Sequence, residues 1–244
     1  MPGSLTTVVL CGGKGTRAWP ATAEVPKPML PVADRPALAH VIEIYARQGV
    51  RRFVLATGYR GDVVADWART LPSDLEVIAH DTGEESNTGE RVRRCGELVG
   101  DTFFATYGDG LGNVDIGALL ATHRAATETG ALATVTTVAL PSQYGTVDTD
   151  GEGRVTGFNE KPLLHDHRIN AGFFVFEKRA LEAWAGPDLE RDVLPDLAGR
   201  RALQSYKHPG FWKSMDTQKD VADMTRLATE GGSPWLQLPS TQRS

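Results

Sequence analysis

Residues 5–10 form a short apolar, β-branched run that stops at the glycine-rich stretch 11–17, the pattern of a strand buried on both faces and feeding a loop. Beyond a loop punctuated by prolines from Pro20 to Pro36, apolar residues at helical spacing (Leu38, Val41, Ile42, Tyr45) predict a helix over 37–48, with Gly49 as its stop. Strand-like runs at 52–56, 75–79 and 102–106 then alternate with helix-like ones at 62–69, 87–98 and 115–127. That alternation predicts a doubly wound parallel sheet, because parallel neighbours need long crossovers and helices supply them. Another strand is expected over 131–138. From there the texture changes to Gly- and Asp-rich turns with strand-like pieces at 144–148, 153–158 and 172–176. Asp150-Gly151 between alternating residues is a hairpin signal, so this half is expected to form a mixed β extension, with helices near 189–197 and 217–227. The stretch from Gly231, with its Gly, Ser, Pro and Gln, reads as a disordered or loosely docked end.

Composition narrows the classes. The 244 residues are 41% hydrophobic and 23% charged with a net charge of -5, ordinary for a globular protein and incompatible with fibrous or disordered chains. The acidic balance, with no run of like charges, argues against nucleic acid or an anionic membrane as partner. Any phosphate chemistry must therefore use a local basic pocket. Cys11 and Cys95 are too few for a disulfide framework and lack metal-site spacing. A cytoplasmic location is expected, since no leader pattern and no window of about 18 apolar residues is present.

The loop Cys11-Gly12-Gly13-Lys14-Gly15-Thr16-Arg17 frees backbone N–H groups to approach an anion, the requirement of a phosphate cradle. It fits neither the Walker A spacing nor the dinucleotide fingerprint. The glycines alone would equally suit a plain turn after a strand; Lys14 and Arg17 tilt the reading to phosphate. In Pro26-Lys27-Pro28 two prolines fix the backbone around one ammonium, although a solvated lysine in a turn has the same composition.

Taken in order, Gly12-Gly13-x-Gly15-Thr16-Arg17, Pro26-Lys27-Pro28-Met29, Tyr107-Gly108-Asp109-Gly110, Glu160-Lys161-Pro162, Ile169-Asn170-Ala171-Gly172 and Met215-Asp216-Thr217 resemble the sugar-1-phosphate nucleotidyltransferase family. Three stretches resemble its glucose-1-phosphate cytidylyltransferase branch. They are Asp81-Thr82-Gly83 with Asn87-Thr88-Gly89, the Tyr107 to Gly110 motif, and His208-Pro209-Gly210-Phe211-Trp212 running into Met215-Asp216-Thr217. The resemblance implies a Rossmann-like, doubly wound, mostly parallel sheet of the nucleotide-diphospho-sugar transferase type with a small mixed β extension. It also implies one domain over 1–230, with a nucleotide-binding half at about 1–130, a sugar-phosphate-binding half at about 131–230, and a tail at 231–244.

The implied reaction is attack by a sugar-1-phosphate oxygen on the α-phosphorus of a nucleoside triphosphate, CTP and glucose 1-phosphate being favoured. The nucleophile is already anionic, so the reaction needs charge neutralisation and in-line alignment rather than a general base. By the resemblance, Asp109 and Asp216 hold Mg²⁺, which takes few protein carboxylates and completes its shell with phosphate oxygens and water. From composition alone Gly-Asp-Gly is a turn and Asp216 a helix cap. Arg17 and Lys27 are implied as the catalytic cations on the triphosphate. Leu10, Gly12, Gly13, Gly15 and Thr16 hold the nucleotide, and Thr82 and Gly83 face the base. Arg91 reaches the same pocket, although a helix arginine is ordinarily solvated. Lys161 holds the sugar phosphate, with Tyr107 and Asn170 on the sugar. The partners are thus the two substrates, with no nucleic acid and no membrane; a homo-oligomer is left open.

The sequence departs from the cytidylyltransferase pattern at Glu90, which adds a carboxylate after Thr88-Gly89, at Ala171, at Ser142-Gln143-Tyr144-Gly145, and in a shortened segment between Gly61 and Asp81. The run Leu189-Glu190-Arg191-Asp192-Val193-Leu194-Pro195 resembles relatives that transfer guanylyl groups to heptose or cyclitol phosphates. A non-catalytic nucleotide-sugar-binding domain would be expected to lose Asp109, Asp216, Lys27 or Arg17, and all four are present.

Overall fold

The computed structural model describes residues 2–18 and 20–238, apart from the side chains of Ser4 and Arg17. The chain enters on strand β1 (Thr6–Leu10) and passes through the proline-rich loop with its tight pair β2 (Pro31–Val32) and β3 (Arg35–Pro36). It then alternates helix α1 (Ala37–Ala46), β4 (Arg52–Thr57), α2 (Gly61–Ala68), β5 (Glu76–Asp81), α3 (Thr88–Arg94) and β6 (Thr102–Tyr107). The short β7 (Gly110–Gly112), helix α4 (Ile116–Thr127) and strand β8 (Ala133–Pro141) follow. Next come the hairpin β9 (Thr146–Thr149) and β10 (Val155–Asn159) and the long β11 (Leu163–Glu177). Helix α5 (Leu194–Gly199), β12 (Leu203–Lys207), β13 (Trp212–Ser214) and α6 (Gln218–Glu230) complete it.

One seven-stranded sheet, ordered β12-β8-β11-β6-β1-β4-β5, runs through both halves. All its pairings are parallel except those of β11, which runs antiparallel to both β6 and β8. The doubly wound, mostly parallel sheet read from the sequence is therefore the fold. Alternation along each strand divides the core: Val9, Phe53, Leu55 and Phe104 face α1 and α4, while Val8, Val54, Phe103 and Ala105 face α3 and α5. Asp115 caps α4 by accepting from the Ala118 N–H, and Thr217 with Asp220 forms a capping box on α6.

Several expectations are corrected. The strand expected at 172–176 is only the end of β11, whose first half carries His165-Asp166-His167-Arg168 and so shows no apolar alternation. The helix expected over 87–98 breaks at Cys95 into α3 and a 3₁₀ turn, Gly96–Leu98. The helix expected at 189–197 opens as a π-turn, Leu189–Val193, capped by Asp188. The stretch from Gly231 is docked as far as it is described: Trp235 is buried, its indole Nε1 donating to His40 Nδ1 at 3.2 Å and its ring lying against Phe211. Residues 239–244 of the expected tail lie outside the described residues.

Candidate active site

The glycine-rich loop leaves β1 at the carboxyl ends of the parallel strands, where sheets of this kind bind ligands. It borders a cavity of about 500 Å³ walled by the loop, by Lys27 and Pro28, by residues 84–88, and by Arg91, Tyr107, Asp109 and Asp188. Lys27 stands at the start of a 3₁₀ turn, Lys27–Met29, with Pro26 in extended conformation before it. The ammonium is 8% exposed as a residue and lies 2.6 Å from Asp109 Oδ2 and 2.9 Å from Asp216 Oδ1. Burial disfavours its charge, yet the two carboxylates outweigh burial and hold its pKa above the ordinary lysine value. Lys27 is thus a fixed cation between two anions.

Backbone pairing brings those carboxylates together. Strand β13 lies antiparallel to β7, with Ser214 opposite Gly110, and the Met215 N–H donates to the Asp109 carbonyl at 2.9 Å. Ser214 Oγ then donates to Asp216 Oδ2 at 2.8 Å. Two carboxylates converging on one cation form an incomplete donor set for a divalent ion, and among the described residues no cluster of three or more His, Cys, Asp or Glu is disposed to hold a metal. Such a pair fits an ion that takes its remaining ligands from phosphate and water.

Arg91 corrects the reading of a solvated helix arginine. It is 4% exposed, and its guanidinium donates to the carbonyls of Gly12, Thr57, Gly83 and Glu84 and to Thr82 Oγ1, all at 2.8–3.0 Å. One side chain ties the glycine-rich loop to the ends of β4 and β5. A Cβ at Gly12 would run into this guanidinium, so the first glycine of the loop is required by packing as well as by any approach of phosphate. Thr82 and Gly83, expected to face the base, lie beneath the cavity instead of lining it: Thr82 is fully buried with its hydroxyl given to the Thr57 carbonyl, and the Gly83 N–H donates to Asp81. The neighbouring segment 84–88 takes their place on the wall. Glu90, the carboxylate by which the sequence departs from the cytidylyltransferase pattern after Thr88-Gly89, pairs with Arg93 and Arg94 on its own helix.

Of the other residues singled out, Leu10, Gly12, Gly13, Gly15, Lys27, Tyr107 and Asp109 line the cavity with Arg91. Thr16 sits just beyond, in the turn Thr16–Ala18, and the side chain of Arg17 lies outside what is described. Asn170 is one hydrogen bond away, its Nδ2 donating to Tyr107 Oη at 3.1 Å. The geometry does not gather Lys161 with them: its side chain is 63% exposed, its φ is +47°, and Glu160 at 3.8 Å is its ion-pair partner.

Sequence reasoning missed Asp188 on the cavity wall and Glu190 behind Tyr107. The Glu190 carboxylate accepts from both Thr88 Oγ1 and Tyr107 Oη, joining the start of α3 to the end of β6. Burial and this carboxylate push the Tyr107 phenol pKa upward. Lys14 reaches across the cavity mouth to Glu84 and Glu85, each at 3.0 Å. An Asp directly before the first apolar residue of a helix-like run is a cap signal that was available for Asp188, which precedes Leu189; nothing local marks the contacts of Glu190.

A strand-loop cradle beside a lysine clamped by two aspartates is the arrangement of a phosphate-transferring sheet enzyme. Residues 6–223 match the Nucleotidyl transferase family, and the chain belongs to it. Over 95% of its length it is 32% identical to the glucose-1-phosphate cytidylyltransferase of Salmonella typhi, 98% of which is covered. Over 90% of its length it is 34% identical to the mannose-1-phosphate guanylyltransferase of Mycobacterium tuberculosis, 64% of which is covered. HddC from Yersinia pseudotuberculosis, solved in complex with GMP-PN, shares the fold with a TM-score of 0.70 at 21% identity, covering 92% of this chain and 100% of that one. The UTP-bound UGPase of Acinetobacter baumannii does so with a TM-score of 0.67 at 20% identity, covering 92% and 94%. No helix among the described residues is long and apolar enough to cross a membrane.

Proposed function

We propose that this enzyme, within the sugar-1-phosphate nucleotidyltransferase class, condenses CTP with glucose 1-phosphate to give CDP-glucose and pyrophosphate. The observation that carries the reading is the Lys27 ammonium held between Asp109 and Asp216 at the mouth of the glycine-rich loop. Loop N–H groups, Arg17 and Lys27 take the triphosphate. Lys161 takes the sugar phosphate, and Tyr107 and Asn170 the sugar hydroxyls. A sugar-phosphate oxygen bonds to the α-phosphorus as the bond to the departing pyrophosphate breaks, and Lys27 neutralises the charge that develops there. Mg²⁺, when bound through Asp109 and Asp216, supplies further neutralisation across the phosphates. The base rests against the segment 84–88 and the backbone of residues 10–12, held from below by Thr82, Gly83 and Arg91. We take residues 1–230 as one unit, with the nucleotide on the first half and the sugar phosphate on the second. The two free, buried cysteines, Cys11 and Cys95, support a cytoplasmic setting.

Cytosine is supported by the nearly full-length match to cytidylyltransferases. Guanylyl transfer to another sugar phosphate is the second reading, supported by the 34% identity to a mannose-1-phosphate guanylyltransferase. Pyrophosphate release measured with CTP, UTP, dTTP, ATP and GTP against glucose 1-phosphate and a series of other sugar and cyclitol phosphates decides between them. CTP with glucose 1-phosphate is expected to react fastest; faster reaction with GTP, or with another phosphate, overturns this assignment and leaves the class intact.

A further inference from the structure

Asp109 and Asp216 reach Lys27 from supports of unequal strength. Asp109 follows β6, a strand of the main sheet, and the Gly108 N–H beside it donates to the Leu10 carbonyl at 3.2 Å. Asp216 follows β13, which lies outside that sheet and pairs with β7. Each strand of this ribbon has three residues, and two of those in β7 are glycines, Gly110 and Gly112. So short a two-stranded pair is marginal in water, and glycine adds backbone freedom that folding has to remove. The ribbon needs bracing from outside, and any play in it is passed on to Asp216.

The brace at its far end comes from the stretch that composition marks as a loose end. Trp235, in the 3₁₀ turn Pro234–Leu236, is 1% exposed. Its ring centre lies 6.1 Å from that of Phe211, the residue before β13, and 5.2 Å, edge-on, from that of His40 on α1. His40 is itself fixed. Its Nε2 lies 3.1 Å from the Val32 carbonyl, which accepts only, so Nε2 carries the proton and Nδ1 accepts from Trp235 Nε1 and from Arg35 Nη2, each at 3.2 Å. A second tie holds the other strand: Asn113, the residue after β7, donates through Nδ2 to the Gln237 carbonyl at 2.7 Å, while its N–H donates to the Phe211 carbonyl at 3.1 Å. Both strands thus meet one C-terminal segment, three residues or about 10 Å along β13 from the Ser214 hydroxyl that donates to Asp216.

We propose that Trp235 is a positioning residue for the transfer reaction: by holding Phe211 against α1 it keeps β13 in place on β7, and so keeps Asp216 Oδ1 2.9 Å from the Lys27 ammonium. Trp235 does not line the cavity that holds Lys27, so it acts on alignment and not on substrate binding. A shift of about 1 Å in a reacting constellation is enough to cost up to about 10²-fold in rate, while the glycine-rich loop and the other contacts to the two substrates stay as they are. The proposal rests on the assignment of Asp216 to the reaction and not on the choice of base or sugar.

Steady-state pyrophosphate release by the full chain tests it, in wild type, Trp235→Ala, Asp216→Asn and the double variant, at a temperature where thermal unfolding shows each to be folded. Trp235→Ala is expected to lower kcat about tenfold with the KM of both substrates within about threefold of wild type. In the Asp216→Asn background it is expected to lower kcat by less than about threefold further, because the carboxylate it positions is already gone. A loss of stability alone would give neither that split nor that failure of the two effects to multiply. Should Trp235→Ala not fold, Trp235→Leu takes its place under the same limits, since it fills part of the space but can neither donate to His40 nor set a ring against Phe211. A folded variant with kcat within about threefold of wild type overturns the proposal, as does a fall carried by KM or one that multiplies in full with that of Asp216→Asn. Wild-type turnover by Asp216→Asn removes Asp216 from the reaction and the proposal with it, whereas a slow Asp216→Asn beside an unimpaired Trp235→Ala strikes the brace alone and leaves the site assignment standing.

Discussion

The corner around Arg91 and the arm around Lys161 are built in opposite ways. In the corner, one buried guanidinium satisfies four backbone carbonyls and a hydroxyl, and Lys27 is fixed between two carboxylates. In the arm, β9 pairs only with β10, outside the main sheet, and Tyr144, Val147, Val155, Phe158 and Leu163 are 51–78% exposed. An isolated two-stranded hairpin is marginal in water. The contrast follows from the chemistry each region is proposed to serve. Charge developing on a leaving pyrophosphate is stabilised well only by groups that need not reorganise, whereas a second substrate has to be admitted, and the lysine proposed to meet it is exposed and held only loosely by Glu160.

The contrast would break first at the fixed cation. Asp109→Asn and Asp216→Asn each keep the shape and remove a charge beside Lys27, so turnover is expected to fall by at least about 10²-fold, the worth of one strong electrostatic contact to the transition state. Pyrophosphate release by Asp109→Asn at wild-type rate with saturating Mg²⁺ would remove Asp109 from the reaction and with it the shared metal site. Next in size is Arg91→Met, which leaves buried carbonyls at residues 12, 57, 83 and 84 without their donor and should cost at least about 3 kcal/mol in urea unfolding. A loss below about 1 kcal/mol would mean that water replaces the guanidinium there and that the corner is not rigid. Trp235→Ala should cost about 3 kcal/mol in the same measurement, since a fully buried indole and its bond to His40 are both removed; an unchanged midpoint would return the C-terminal stretch to the loosely docked end expected from its composition.

What was legible in the sequence divides along the same line. The inner parallel strands β1, β4 and β6 announced themselves as apolar runs because they are covered on both faces, whereas β12, a half-exposed edge strand parallel to β8, was not expected; the order of short motifs was enough to read the family. The role of Arg91 was hidden because Arg91, Arg93 and Arg94 look alike on one short helix. Only the fold brings the ends of β1, β4 and β5 around one of them and leaves the other two to pair with Glu90. The first half of β11 was hidden because a strand that leaves the core carries polar residues on both faces and loses its period. Asp109 and Asp216 were read as partners from motifs, yet the reason they meet, the pairing of β13 with β7, involves two three-residue strands too short to show any pattern. Glu190 entered only as part of the run 189–195 and its contacts had no local signal, since its partners Thr88 and Tyr107 lie far away in the chain.

Sharpening the arm's side needs smaller effects. Lys161→Ala removes an exposed cation held loosely by Glu160, so stability should stay within about 0.5 kcal/mol of wild type. If the arm delivers this lysine to the sugar phosphate, the KM for the sugar phosphate should rise by about tenfold while that for the triphosphate is unmoved. A rise confined to the triphosphate would place Lys161 on the other substrate and reverse the proposed division of cations.

The smallest effect is the most direct test of whether the arm stands free. Phe158 is 64% exposed and faces its cross-strand neighbour Val147, itself 51% exposed. Such a pair contributes only a few tenths of a kcal/mol within the hairpin. Phe158→Ser therefore removes little burial, and the unfolding midpoint should shift by no more than about 0.5 kcal/mol equivalent. If the hairpin instead packs on another surface in solution, Phe158 is the residue that carries the burial, because a phenyl ring moved fully out of water is worth about 2 kcal/mol. A measured loss above about 1 kcal/mol would therefore show the arm to be covered. Its open apolar face would then be one side of a contact, and the difference between a fixed corner and a free arm would fail on the arm's side.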